Sequence, residues 1–87
     1  MLPGAEIIEK GLADLDAERE TVESLLVSIG APRLRRAGIV VPQNTFPSPE
    51  HRLYDLLFKT DPETAYSRYN SLIRRLVSFE RAAECGI

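Results

Sequence analysis

Apolar residues recur along this chain in two stripes of helical spacing. In the first, Ile8, Leu12, Leu15, Val22, Leu26 and Ile29 alternate steps of four and three, and the position the series skips is Arg19. In the second, Ala65, Tyr69, Leu72, Leu76, Phe79 and Ala83 repeat the spacing. Tyr66, Ile73 and Val77 widen this stripe, and Glu80 sits inside it. Such a period belongs to helices that bury one face against other helices. The pattern predicts a first helix over residues 5–29, stopped by Gly30, because glycine accepts the left-handed conformation at a helix end. Gly11 reads as a mild weakness inside it. Pro32 then opens a short helical turn, Arg33 to Ala37, that ends at Gly38. The β-branched run Ile39-Val40-Val41 and the prolines at 42 and 47 predict an extended connection over residues 39–47, with Ile39, Val41 and Phe46 available to cover the core. Ser48-Pro49-Glu50 and Asp61-Pro62-Glu63 each place a capping side chain before a proline and an acid, so helices are predicted over 49–59 and 62–84. The expected fold is all-α, a small bundle of two long helices, one medium helix and a short helical turn, forming one domain over residues 1–87.

The widths of the stripes carry the reasoning further. At about 1.5 Å per residue, the two long helices each reach roughly 35 Å and the 49–59 helix roughly 16 Å. The medium helix is too short to cover the stripe of the last one. A second copy is the commonest source of the missing cover. The expected interface comprises Leu12, Leu15, Arg19, Val22, Leu26, Tyr69, Ile73, Leu76 and Glu80. Arg19 either runs along the seam to solvent or forms an ion pair, with Glu80 the favoured partner or an acid of a second chain the alternative. A polar seam residue of this kind fixes register and oligomeric state.

Charge is unevenly distributed. Residues 1–28 hold seven acids against two bases, a balance of −5, and residues 29–87 hold nine bases against six acids, a balance of +3. An acidic segment and a more basic remainder attract each other within a chain or between copies. The single cysteine, Cys85, excludes a disulfide framework within the monomer and fits a reducing, cytoplasmic setting. The N-terminus lacks the basic and apolar regions of a signal peptide, and Cys85 stands one position from where a prenylation box would need it. No apolar run approaches the roughly 20 residues of a membrane span.

The residues of chemistry are sparse. His51 and Cys85 have no orienting motif around them, and no His/Cys cluster has zinc spacing. The alternating acids from Asp14 to Glu20 lack the glycine and distal glutamate of a calcium loop, and no glycine-rich phosphate loop is present. Neither a cofactor, a metal nor catalysis is expected. The cluster Tyr54, Tyr66 and Tyr69 offers the lining of a ligand pocket, but Tyr66 and Tyr69 belong to the apolar stripe, so these tyrosines read as core aromatics with hydroxyls at the edge. The expected function is a non-enzymatic interaction module, a homodimeric adaptor or regulatory subunit. The alternative is a small nucleic-acid-binding regulator that uses Arg33, Arg35 and Arg36 with the face of the last helix bearing Arg68, Arg74 and Arg75.

Overall fold

A computed structural model describes residues 2–85. It contains four helices, α1 (Ala5–Asp16), α2 (Val22–Arg36), α3 (Pro49–Thr60) and α4 (Ala65–Glu84), with no strand among the described residues. The all-α class stands as predicted. The division of the first half does not, because the single helix expected over 5–29 is two helices that fold back on each other.

Local chemistry explains the break. At the end of α1 the Arg19 amide donates to the Asp14 carbonyl (2.7 Å) and the Glu18 amide to the Leu15 carbonyl (3.0 Å). This pair of bonds closes a helix through a left-handed residue, here Glu18 with φ of 60°. Two residues later Thr21 caps α2. Its hydroxyl accepts from the Ser24 amide (3.1 Å), and the Thr21 amide donates to the Ser24 hydroxyl (2.8 Å). Arg19 therefore lies in a corner, and the apparent gap in the stripe marks a chain reversal rather than a charge within a seam.

The stop expected at Gly30 is also absent, since α2 runs through Gly30 and Pro32 to Arg36. Gly30 serves another purpose. A Cβ there would lie 2.8 Å from Leu76 Cδ1 and from Glu80 Oε2, so the bare backbone lets α4 cross close to α2. A proline inside a helix costs about 3 kcal/mol. Burial of Ala31 and Leu34 on either side of Pro32 offsets that cost. The helix ends at Gly38, as the sequence predicts. Gly38 has φ of +91°, and the Ile39 amide donates to the Leu34 carbonyl (3.0 Å).

The helix α2 is the centre of the molecule and packs on α1, α3 and α4, while α3 also packs on α4. Five consecutive residues of α2, Ser24 to Ser28, are buried, which a helix with only one covered face could not achieve. Small residues allow the close approach. On α1, a Cβ at Gly11 would overlap the Glu23 carbonyl and the Val27 side chain, so Gly11 is a crossing point and not a weakness. The core joins Ile8 and Leu15 of α1, Leu25, Leu26, Val27 and Leu34 of α2, Leu53 and Leu57 of α3, and Leu76 and Phe79 of α4.

The connection between α2 and α3 is extended, as predicted, and is strapped to the bundle. Asn44 Nδ2 donates to the Leu15 carbonyl (2.8 Å), and the Phe46 amide donates to the Ser28 hydroxyl (3.2 Å). The first bond gives the Leu15 carbonyl, which already accepts from the Glu18 amide, a second donor. Within the strap Val41 is buried, and Ile39 and Phe46 pack against the core half-buried. The two predicted caps differ in detail. Ser48 is left-handed and makes no side-chain cap. Asp61 accepts the Glu63 amide at its side chain (3.2 Å), which turns the chain so that α4 begins at Ala65 rather than Pro62.

Candidate interaction surfaces

The break between α1 and α2 changes which stripe residues are available. Leu15 and Leu26 are fully buried and Leu76 nearly so, all within the chain's own core. Because α1 turns back over α2, the chain itself covers much of the stripe for which a partner was expected. Leu12, Val22, Tyr69 and Ile73 remain half-buried at the surface of the bundle.

The two stripe charges do not meet. Arg19 pairs with Asp14, its Nη2 standing 3.0 Å from Asp14 Oδ1. Asp14 is 2% exposed and also accepts from Lys10 Nζ (2.7 Å) and Thr21 Oγ1 (2.7 Å). The hydrogen bond from Lys10, then those from Thr21 and Arg19, hold its carboxyl well below the usual carboxylate range. Every partner of Asp14 lies in α1 or the corner, so the cluster is a joint between helices. The sequence signal for it is Thr21 followed three residues on by Ser24, a reciprocal cap within an otherwise continuous apolar pattern.

Glu80 is 4% exposed, against Gly30. Burial raises its pKa, and the Arg33 guanidinium, with Nη1 3.5 Å from Glu80 Oε1, opposes the rise. Arg33 also grips Glu84, Nε to Oε2 at 2.7 Å and Nη2 to Oε1 at 2.8 Å. Arg33 therefore clamps the C-terminal ends of α2 and α4 together. Arg35 is engaged as well, donating from Nη2 to the Pro42 carbonyl (2.8 Å). Of the three arginines expected to form a basic patch, only Arg36 has neither an ion pair nor a side-chain hydrogen bond among the described residues.

Exposed apolar side chains mark two faces among the described residues. On the first, Phe58 is 50% exposed and Tyr66 68% exposed. Tyr54 stacks on Phe58 with ring centroids 6.4 Å apart and meets Tyr69 edge-on at 5.9 Å. Tyr66, Ile73 and Val77, seven and four residues apart, continue along one flank of α4. Tyr69 is half-buried, and burial raises its pKa. The expectation of three core tyrosines thus fails at Tyr66.

The second face joins α1 to the strap. Leu2, Ala5, Ile8, Glu9, Leu12, Ile39 and Phe79 line a hollow of about 370 Å³. Beside it, Leu12, Ala13, Asp16, Val40 and Pro42 line a second one. Val40 is 88% exposed. In an extended run, alternate residues point to opposite sides, so burying Val41 turns Val40 outward.

The outer side of α4 presents Ser67, Arg68, Ser71, Arg74, Arg75 and Ser78, all exposed, and the sequence from Ala65 to Phe79 contains no acid. Arg75 binds Glu6 of α1 (2.8 Å), while Arg68 and Arg74 have no ion-pair partner among the described residues. A cleft of about 410 Å³ is lined by Arg68, Ser71, Leu72 and Arg75 of α4 together with Ile7, Val22 and Glu23.

His51 is exposed beside Asp55 (3.2 Å), and Cys85 is exposed and free just beyond α4. Among the described residues no three His, Cys, Asp or Glu side chains are grouped to hold a metal ion, and no helix is long and apolar enough to cross a membrane. No protein family, curated protein or solved structure was found to match this chain.

Proposed function

We propose that this chain is a non-enzymatic helical interaction module that works as a homodimeric adaptor or regulatory subunit. One observation carries the reading. The core closes without leaving any buried side-chain nitrogen or oxygen unpartnered among the described residues, yet Val40, Phe58 and Tyr66 stay exposed. These residues fall on two separate faces, and an adaptor needs two. Tyrosine and phenylalanine are among the residues that interfaces concentrate, and the α3–α4 face carries Tyr54, Phe58, Tyr66 and Tyr69. Sedimentation velocity over a protein series from micromolar to millimolar tests the homodimer. A weight-average mass rising toward twice the monomer is expected, and a monomer at every concentration refutes it.

A second reading rests on the acid-free outer side of α4. Arg68, Arg74 and Arg75 beside serine hydroxyls suit the phosphates of a nucleic acid, and the short turn between α3 and α4 brings two helices together. Retardation of random duplex at low salt, falling steeply as salt rises and abolished by reversing Arg74 and Arg75, supports this reading. Retardation that survives those reversals removes α4 as the contact surface.

A further inference from the structure

The homodimer proposed above requires a self-complementary face, and the face between α1 and the strap has the parts for one. A two-fold dimer presents the same patch from both copies, so any knob on the patch needs a matching hollow on the same patch. Here Val40, 88% exposed, is the knob. The hollow of about 370 Å³ is lined by Leu2, Ala5, Ile8, Leu12, Ile39 and Phe79, with Glu9 its one polar wall. Leu12 lines both this hollow, whose other α1 residues precede it, and the neighbouring one that Val40 borders, whose other α1 residues, Ala13 and Asp16, follow it.

Charges are arranged in the same sense. Arg35 stands on the knob side, held by the Pro42 carbonyl at 2.8 Å. Glu9 stands on the hollow side and has no ion-pair partner among the described residues. Rotation about an axis near Leu12 carries Val40 of each copy over the hollow of the other. It also carries each Arg35 toward the other copy's Glu9. Apolar contact supplies the attraction, and the two charge pairs select the orientation.

We infer that a second copy of this chain docks on the α1–strap face, with Val40 entering the partner's hollow and Arg35 meeting the partner's Glu9. The inference rests on the homodimer reading and goes beyond it by naming the surface and the register. The aromatic α3–α4 face then stays free for a different protein.

A charge exchange tests this directly. Glu9→Arg alone places like charges at both contacts of the dimer, and so does Arg35→Glu alone. A mixture of the two variants restores an opposite pair at both contacts. Sedimentation velocity of each variant, of the equimolar mixture and of Val40→Asp provides the measurement, with circular dichroism confirming that each remains helical. The expected result is a dissociation constant at least tenfold weaker than wild type for Glu9→Arg, Arg35→Glu and Val40→Asp, and near wild type for the mixture. Should Val40→Asp and Glu9→Arg dimerise as tightly as wild type, the docking face is wrong while the homodimer survives through another surface. Single variants that weaken without rescue in the mixture overturn the Arg35–Glu9 register. A wild-type chain that stays monomeric to millimolar concentration overturns both readings and leaves the face to a protein other than itself.

Discussion

Replacing Gly11 with alanine sets two effects of opposite sign against each other. On helix propensity alone the change stabilises α1 by about 1 kcal/mol, because alanine restricts the unfolded backbone more than glycine does. The structure places Gly11 where α1 crosses α2. The new Cβ would stand 2.9 Å from the Glu23 carbonyl carbon and closer still to its oxygen and to Val27 Cγ2. Ordinary contacts between carbon atoms fall near 3.5–4.0 Å, so the helices must part by roughly 1 Å. Glu23 meets the intruder with backbone, which cannot rotate away, and Val27 is fully buried. Overpacking of this kind costs about 2–3 kcal/mol. The clash outweighs the propensity gain, leaving a net loss of about 1–2 kcal/mol. For a domain of this size that lowers the melting temperature by roughly 4–16 °C. Thermal unfolding followed at 222 nm measures it, with Ala13→Gly on the exposed side of α1 reporting propensity without the crossing. A Gly11→Ala chain that melts higher than wild type would sink the account of how α1 meets α2.

Glu18→Gly should raise stability by about 1 kcal/mol, since Glu18 holds a left-handed backbone (φ of 60°) that glycine adopts freely; a lower urea midpoint would contradict that corner geometry. Asp14 has a carboxyl pKa depressed by Lys10, Thr21 and Arg19, so its contribution is present above the unfolded carboxylate range near pH 4 and is lost as pH falls. Melting temperature against pH should therefore drop more steeply below about pH 4 in wild type than in Asp14→Asn, which starts lower at neutral pH; parallel curves would argue against the joint. Arg33→Met removes the cation opposite buried Glu80 and should lower the urea midpoint, with Glu80→Gln in the same chain recovering part of the loss. No recovery would mean that Arg33 acts through Glu84 alone.

Sequence patterning revealed the class, the extended strap, the stop at Gly38 and the start of α3, because each rests on chemistry within a few residues. It failed where tertiary contact outweighed local preference. Gly30 and Pro32 read as breakers, but close packing of Leu76 and Glu80 on Gly30 makes a continuous helix the better solution. The reversal at residues 17–21 was hidden because the spacing from Leu15 to Val22 equals two helical turns, so the stripe kept its phase across the gap. Thr21 and Ser24 were the visible clue. The interface set was legible as apolar but not as intra- or intermolecular. Periodicity reports that Leu15, Leu26 and Leu76 need cover and is silent on which chain provides it. Exposed Val40 follows from alternation once Val41 is placed inward, whereas exposure of Phe58 and Tyr66 depends on how α3 and α4 lie together.

The corner between α1 and α2 has a consequence for the order of folding. Its side-chain bonds join residues three to seven apart, from Thr21 with Ser24 to Asp14 with Thr21. The clamp of Arg33 on Glu80 and Glu84 joins residues 47 and 51 apart. Chain closure costs more entropy the longer the loop. The first hairpin can therefore assemble with little loss of chain freedom and offer the face on which α4 later settles. Pulsed hydrogen exchange during refolding should protect amides of α1 and α2 before those of α4, and protection of α4 first would reverse this order. The molecule on this view matures from its acidic end, and its arginine clamp is the latch that closes last.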